Sequence, residues 1–266
     1  MEKSTMYMKF STIVLFLIGF SVLFNLTFFE PTNKGEITLP AQEGVAVIEL
    51  FTSQGCSSCP SADRLLSQLI DQAETNELPV YGLSFHVDYW NRLGWKDPFS
   101  AKAYTERQYA YARKIEKASV YTPQMVVNGQ EEFVGSNGWA AEKAIKKASN
   151  TADEVSFIVE KISKKDGQIS FSYLATGTKS QQLNIALVER GIETYVKRGE
   201  NGGRTLKHDN VVRAFEQQSL QTEDEITIAL PADIDLAKSS IILYAQDGQS
   251  LAINGATRVS LAELAG

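Results

Sequence analysis

The spacing of apolar residues changes near residue 150 and predicts two halves of different architecture. In the first half, Val45–Phe51 is apolar apart from Glu49, which is typical of a strand buried on both faces of a parallel sheet. Across residues 59–73, apolar residues recur at helical spacing and form a single stripe. The pattern therefore predicts a strand followed directly by a helix.

Four more elements are predicted in the first half. They are a strand over 79–87, a helix over about 98–117, a hairpin over 124–134 that turns at Asn128-Gly129, and a helix over about 137–148. Parallel strands joined by helices, ending in an antiparallel pair, predict an α/β sheet sandwich.

The second half is a series of short alternating strands separated by turn residues. The predicted strands lie at 155–159, 169–173, 183–189, 193–197, 211–215, 225–230 and 241–246. Such a series predicts an all-β sandwich. The sequence is accordingly divided into a membrane or signal segment with a linker (1–44), an α/β domain (45–150) and a β-sandwich-like domain (151–266).

The N-terminal segment Phe10–Phe29 is mostly apolar and carries no charge. About 20 such residues suffice to cross a bilayer as a helix. Lys3 and Lys9 precede it and Glu30 follows it, which predicts that the rest of the chain lies outside the cytoplasm. We expect an uncleaved anchor in the cytoplasmic membrane with the globular part on its outer side. A cleaved signal peptide, giving an exported soluble protein, is the alternative.

Composition narrows the class of function. The chain of 266 residues is 22% charged with a formal net charge of −6, and it has no long basic run. Nucleic-acid binding is therefore not expected. Its only two cysteines, Cys56 and Cys59, are too few for a disulfide-built scaffold and indicate a redox or metal device.

The Cys56-Ser57-Ser58-Cys59 motif falls at a predicted strand-to-helix junction. The helix N-terminus favours the thiolate of the first cysteine, and the second can attack a mixed disulfide. We expect Cys56 to be the nucleophile and Cys59 the resolving thiol. Glu49, a lone carboxylate in an apolar strand, is a candidate for proton exchange with Cys59, and His86 ends the neighbouring strand.

Two segments around this motif resemble a known family. The stretches Glu49–Pro60 and His86–Trp90 are similar to a family of exported bacterial proteins known as domain of unknown function 1223, and more broadly to the thioredoxin superfamily. The resemblance covers about residues 45–260, including Gly199–Gly202 and His208–Asn210.

The resemblance implies a thioredoxin-like fold for the first half, with the second half as a C-terminal all-β domain. It also implies a cis peptide bond at Thr122-Pro123, facing the cysteine pair and presenting backbone to an extended substrate. Trp90 is a candidate for a substrate-facing lip. The Ser57-Ser58 interior differs from well-known thioredoxins, so the direction of electron flow does not carry over.

These observations predict a membrane-tethered thiol–disulfide oxidoreductase that acts on protein thiols or disulfides outside the cytoplasm and needs no cofactor beyond its own disulfide. Two alternatives remain open. The first is a Cu(I) or metal carrier that uses Cys56, Cys59 and His86, with His208 as a further donor. The second is a non-catalytic interaction module in which the cysteines form a structural disulfide.

Overall fold

The first half of the chain forms the strands and helices that its apolar pattern predicts. The structure is a computed structural model that describes residues 44–115, 118–177 and 181–265. The elements of this half are β1 (Ala46–Thr52), α1 (Cys59–Thr75), β2 (Val80–His86), α2 (Lys102–Lys114), β3 (Gln124–Val127), β4 (Glu131–Val134) and α3 (Gly138–Ser149). Helix α2 begins four residues later than predicted, after a local turn in which Asp97 accepts the N–H of Phe99.

The second half is built from strands, as its alternation predicts. They are β5 (Phe157–Lys165), β6 (Gln168–Ala175), β7 (Gln181–Glu189), β8 (Ile192–Tyr195), β9 (Thr205–His208), β10 (Val211–Ser219), β11 (Glu223–Ala229), β12 (Ser239–Asp247) and β13 (Ile253–Ser260). Strands β9 and β13 were not predicted. Strands β8 and β9 pair as an antiparallel hairpin, and β11, β6 and β5 form a three-stranded sheet.

One eight-stranded mixed sheet runs through both halves in the order β13-β12-β7-β10-β2-β1-β3-β4. The halves join where β10 lies parallel to β2, with Val211 opposite Ser84. Asn210 makes this junction. Its backbone has a positive φ of 48°, a conformation that asparagine tolerates better than most residues, and its side chain donates to the carbonyl of Gly82 at 2.8 Å. Its own carbonyl accepts the N–H of Ser84 at 2.9 Å.

The predicted fold class, a thioredoxin-like α/β sandwich with a separate C-terminal all-β domain, is wrong. Most of the regular structure is strand, and strands from the second half extend the first half's sheet. The cause lies at β2, whose outer edge would be unpaired in the predicted sheet and is paired with β10 instead. Alternation along a strand reveals which face is buried, but not which strand lies beside it.

The apolar core also crosses the predicted boundary. Helices α1 and α3 pack against β1 and β3 on one face of the sheet. On the other face, α2 lies against residues from both halves, namely Phe51, Phe85, Ala186, Val188, Val212, Ile242 and Tyr244. A third cluster fills the space between β7 and β12 and the three-stranded sheet. All described residues belong to one compact unit.

The predicted membrane segment, residues 10–29, lies outside the described residues. Within the described ranges, none of the helices combines the length and the apolar composition that a bilayer crossing requires.

Candidate functional site

The two cysteines lie where β1 ends and α1 begins. Cys56 is in the connecting loop, where its N–H donates to the carbonyl of Ser53 at 3.1 Å, and Cys59 is the first residue of the helix. Both are unbonded thiols and both are buried, with exposed fractions of 1% and 0%. The structure is therefore that of the reduced pair, with the predicted nucleophile covered.

The two thiols have opposite acidities. A hydrogen bond from Cys59 lowers the pKa of Cys56 from 9.0 to about 6, and contacts with Ser58 and Thr122 add to this effect against the opposing effect of burial. The pKa of Cys59 is raised well above its ordinary value, first by burial, then by Cys56 and Asp63. The acid–base pattern matches a nucleophile at Cys56 and a proton-retaining thiol at Cys59.

The rate of alkylation of Cys56 should therefore rise with pH, with a midpoint near pH 6. At pH 7 a thiol with a pKa of about 6 is about nine-tenths thiolate, against about one-hundredth for a pKa of 9. The measurement is the rate of iodoacetamide modification of the reduced chain against pH, with the site located by mass spectrometry. In Cys59→Ala, which lacks the main hydrogen bond, the midpoint should rise. A wild-type midpoint above pH 8 would contradict the assignment.

The segment around Pro123 lies beside Cys56. The Thr122-Pro123 bond is cis, which confirms that expectation. Pairing of β1 with β3, with Phe51 opposite Gln124, brings this segment to the cysteine loop, and the Thr122 carbonyl lies 3.8 Å from the Cys56 sulfur. The indole N–H of Trp90 donates to the Thr122 hydroxyl at 2.8 Å. Trp90 thus supports the segment next to Cys56.

A loop from the second half covers the cysteine loop. We call Gly199–Gly203 the capping loop. The amide of Asn201, fully buried, donates to the carbonyls of Gln54 at 3.0 Å and Cys56 at 2.8 Å. The exposed carboxylate of Glu200 accepts the N–H of Ser57 at 2.9 Å. These bonds hold the capping loop against the backbone of Cys56, and the sequence indicated this segment only within the family resemblance.

Glu49 has a structural role and does not meet Cys59. Ile48 and Leu50 face α1, so Glu49 points to the opposite face of the sheet, toward α2. Its carboxylate accepts from Arg107 Nε at 2.8 Å and from the hydroxyls of Tyr111 and Tyr244. The structure does not bring together the two groups whose proton exchange the sequence predicted.

His86 is likewise engaged elsewhere. Its Nδ1 lies 2.7 Å from Asp97 Oδ2, and both side chains are fully buried. The same carboxylate oxygen accepts the N–H of Gln54 at 2.8 Å, which ties the histidine to the cysteine loop. Across residues 44–115, 118–177 and 181–265, no three side chains of the metal-binding types are grouped so that they could hold an ion.

A row of buried polar side chains runs beneath the cysteine loop. We call Thr52, Asp63, His208 and His86 the buried row. The Thr52 hydroxyl donates to Asp63 Oδ1 at 2.9 Å, the other carboxylate oxygen lies 3.4 Å from Nδ1 of His208, and the two imidazole centres are 4.7 Å apart. Among the described residues, neither nitrogen of His208 makes a hydrogen bond of good geometry.

Sequence reasoning missed the importance of this row. Asp63 follows Cys59 by four residues and so lies on the same face of α1, the face that packs on the sheet. A carboxylate on that buried face was a signal that could have been used. His208 had no comparable signal, because its position depends on the pairing of β9 with β8.

Comparisons with known proteins identify a family and show solved structures of similar fold. The family model described as protein of unknown function (DUF1223) matches residues 47–246. A crystal structure of a protein from Agrobacterium tumefaciens is 30% identical, with a TM-score of 0.61 over 82% of this chain and 96% of that one. HBP35 of Porphyromonas gingivalis is 12% identical, with a TM-score of 0.60 over 84% and 76%, a similarity of fold alone. A search of functionally curated proteins found no match.

Proposed function

The chain belongs to the DUF1223 family, and from that premise we propose that it is a thiol–disulfide oxidoreductase acting on protein thiols or disulfides. Cys56 attacks or receives the substrate sulfur, and Cys59 resolves the mixed disulfide. The cofactor is the protein's own Cys56–Cys59 disulfide. The proposal includes a relationship to the thioredoxin superfamily. This relationship is proposed for the chemistry of the cysteine motif.

The observation that carries the proposal is the placement of both cysteines at the β1–α1 junction with the Cys56 sulfur 3.8 Å from the Thr122 carbonyl, and the opposed acidity of the two thiols supports it. A structural disulfide has no need for a first cysteine with a pKa of about 6 beside a second whose pKa is raised. Exchange chemistry uses both, because the Cys56 thiolate attacks while the proton retained on Cys59 donates a hydrogen bond that stabilises that thiolate. The contact between the Cys56 sulfur and the Thr122 carbonyl supports this, since a polypeptide that reached Cys56 would lie beside the backbone of Thr122.

The capping loop bears on how a substrate reaches Cys56. With the sulfur buried, attack on a protein disulfide requires the loop to move or the substrate to displace it. The ties to be broken are the two hydrogen bonds from Asn201 and the one from Ser57 to Glu200. The proposed activity therefore includes an opening step before the exchange.

We also propose that the enzyme works outside the cytoplasm, tethered by residues 10–29 or released after their removal. The support is the uncharged apolar segment with Lys3 and Lys9 before it. An oxidising compartment is also where disulfide substrates are found.

The test is to trap the intermediate. The full-length Cys59→Ser variant is incubated with insulin as a disulfide substrate, and adducts are separated without reductant. Since Cys59 can no longer resolve, we expect a covalent adduct through Cys56 that reductant releases. The double variant Cys56→Ser/Cys59→Ser is the matched control and should give none.

Activity completes the test. Wild-type chain should accelerate the reduction of insulin by dithiothreitol, and Cys56→Ser should not. Absence of an adduct, together with a reduction potential below about −300 mV, would identify a structural disulfide and overturn the proposal.

A further inference from the structure

We infer that the protein recognises acidic polypeptides through positively charged side chains on the two segments that border the cysteine loop. The inference rests on the proposed function and names its class of substrate, a protein whose disulfide lies close to aspartate or glutamate residues. We call the five side chains concerned the basic patch: Arg92, Lys96, Lys197, Arg198 and Arg204.

The first segment is the loop that follows β2. Trp95 ties this loop to the cysteine loop, because its indole N–H donates to the side-chain oxygen of Gln54 at 3.0 Å. The backbones also approach closely, since a β-carbon placed on Gly55 would lie 3.3 Å from that of Trp90. Arg92 and Lys96 are both exposed, so they extend from a segment that is fixed against the cysteine loop.

The second segment joins β8 to β9 and contains the capping loop. Lys197 and Arg198 come directly before the capping loop, and both are exposed. Arg204 follows the capping loop and donates to the side-chain oxygen of Asn201 at 2.7 Å. Because the amide of Asn201 is bonded to the carbonyls of Gln54 and Cys56, these three cations also stand beside the cysteine loop.

The two segments touch each other, so the basic patch is a single surface. A β-carbon placed on Gly199 would lie 3.3 Å from that of Trp95 and 3.9 Å from the carbonyl oxygen of Leu93. The capping loop therefore packs against the loop after β2, and both pack against the loop that carries Cys56.

The charge of this surface is opposite to that of the whole chain, whose formal net charge is −6. Over residues 92–96 and 197–204, the exposed charged side chains are five cations and one anion, Glu200, which already accepts the N–H of Ser57. The next carboxylate along the chain, Asp97, is buried and bonded to His86. Within residues 44–115, 118–177 and 181–265, none of the five cations forms a salt bridge.

An uncompensated surface of this kind favours an anionic partner. Exposed charges of one sign raise the rate at which an oppositely charged molecule meets the surface, and they disfavour a molecule of like charge. Three of the five cations are arginines, whose planar guanidinium can bind a carboxylate through two parallel hydrogen bonds.

The apolar side chains beside the basic patch favour a polypeptide over a small anion. Leu93 is 49% exposed and Tyr195 is 58% exposed, and they lie on the same two stretches of chain as the cations. Protein interfaces combine such apolar and aromatic residues with arginine. A small anion would leave both side chains uncovered, whereas an acidic polypeptide bound across the basic patch can cover them.

The experiment compares three peptides that differ only in charge. Each contains the same intramolecular disulfide, flanked by glutamate, glutamine or lysine residues. Reduced full-length chain in a neutral detergent is mixed with each peptide at pH 7, and the reaction is stopped with acid and analysed by chromatography. In each exchange the peptide gains two electrons and two protons, and the two cysteines of the chain are oxidised to their disulfide.

The rates at low salt carry the test. At about 10 mM salt we expect the glutamate peptide to be reduced about tenfold faster than the glutamine peptide, and the lysine peptide to be slowest. The three rates should converge at about 1 M salt, because the screening length falls from about 30 Å to about 3 Å. Equal rates at low salt would overturn the inference and leave the proposed function intact. Failure to reduce any peptide would instead count against the proposed function, on which the inference depends.

Two variants reverse charges in the basic patch. Lys197→Glu/Arg198→Glu acts on the segment before the capping loop, and Arg92→Glu/Lys96→Glu acts on the loop after β2. Both should reverse the order of the three peptides at low salt. The readout is the ratio between peptides, so a general loss of activity does not imitate the effect. If both variants kept the wild-type order, the basic patch would have no part in recognition.

A matched control separates the basic patch from net charge. Lys164→Glu/Lys165→Glu makes the same change in net charge on exposed residues of β5, in the three-stranded sheet, and should keep the wild-type order. A reversal in this control would show that overall charge alone sets the preference, which contradicts the inference. Arg204 is not varied, because its bond to Asn201 also holds the capping loop.

A lipid surface is the other anionic partner that the measurement tests. The same rates are measured with the chain in phosphatidylcholine vesicles with and without phosphatidylglycerol. If the peptides react alike in detergent and only phosphatidylglycerol changes the rates, the cations serve a lipid surface and the inference is wrong. If the order of the peptides persists in phosphatidylcholine alone, recognition of the polypeptide is supported.

Discussion

Arg107→Met is expected to lower the free energy of unfolding by about 3–5 kcal/mol, the range for breaking one side of a buried ion pair. Arg107 reaches Glu49 at 2.8 Å from α2, and its terminal nitrogens also donate to Tyr111 and Gln246. The guanidinium carbon lies 5.0–5.8 Å from the centres of four aromatic rings. Methionine carries no charge and therefore cannot make these cation–π contacts. Removing it leaves the Glu49 carboxylate buried without its counter-charge. Urea unfolding followed by circular dichroism measures the change.

Two comparisons make this result interpretable. Arg113→Met changes an exposed arginine on the same helix and should alter stability by less than about 0.5 kcal/mol. The double variant Glu49→Gln/Arg107→Met removes both charges and should recover part of the loss, because the penalty is that of an unpaired buried charge. If Arg107→Met were no more destabilising than Arg113→Met, the pairing with Glu49 would carry no net stability.

Asn201→Ala is expected to speed alkylation of Cys56 by about 30-fold. The variant removes both hydrogen bonds from the capping loop to the cysteine loop and leaves two carbonyls without their partner. Lowering the free energy needed to open the capping loop by about 2 kcal/mol corresponds to a reaction about 30-fold faster, if loop opening limits access to the sulfur. The reaction is measured at pH 8, where a Cys56 pKa of about 6 leaves the thiol almost fully ionised in both proteins.

The neighbouring Glu200→Gln is the matched control. Glutamine retains an oxygen that can accept the N–H of Ser57, so the alkylation rate should stay near that of the wild type. An equal increase in both variants would point to general loosening of the loop, and no increase in Asn201→Ala would mean that other contacts keep Cys56 covered.

The local elements were predictable because each depends on a short stretch of sequence. The stripe on α1, the Asn128-Gly129 turn between β3 and β4, and the apolar run of β1 specify their own secondary structure. The missed strand β9 has four residues, and β13 contains Gly255 and several polar residues. Neither carries enough alternation to be recognised.

Long-range pairing was not predictable in the same way. The junction of β2 with β10 depends on one turn at Asn210, and a single sequence contains no measure of that pairing. The same limit applied to the site. The cysteine pair and Thr122-Pro123 were found from local motifs, whereas Asn201 and His208 reach the site only through the fold of the second half.

The capping loop has a consequence for how the protein is made. A chain is synthesised from its N-terminus, and Asn201 follows Cys56 by 145 residues. Throughout that interval the cysteine loop exists without its cover, so a nascent chain presents both thiols to any oxidant it meets on emerging. The two thiols are therefore accessible first, and they are covered only after the last third of the polypeptide has been synthesised and has folded.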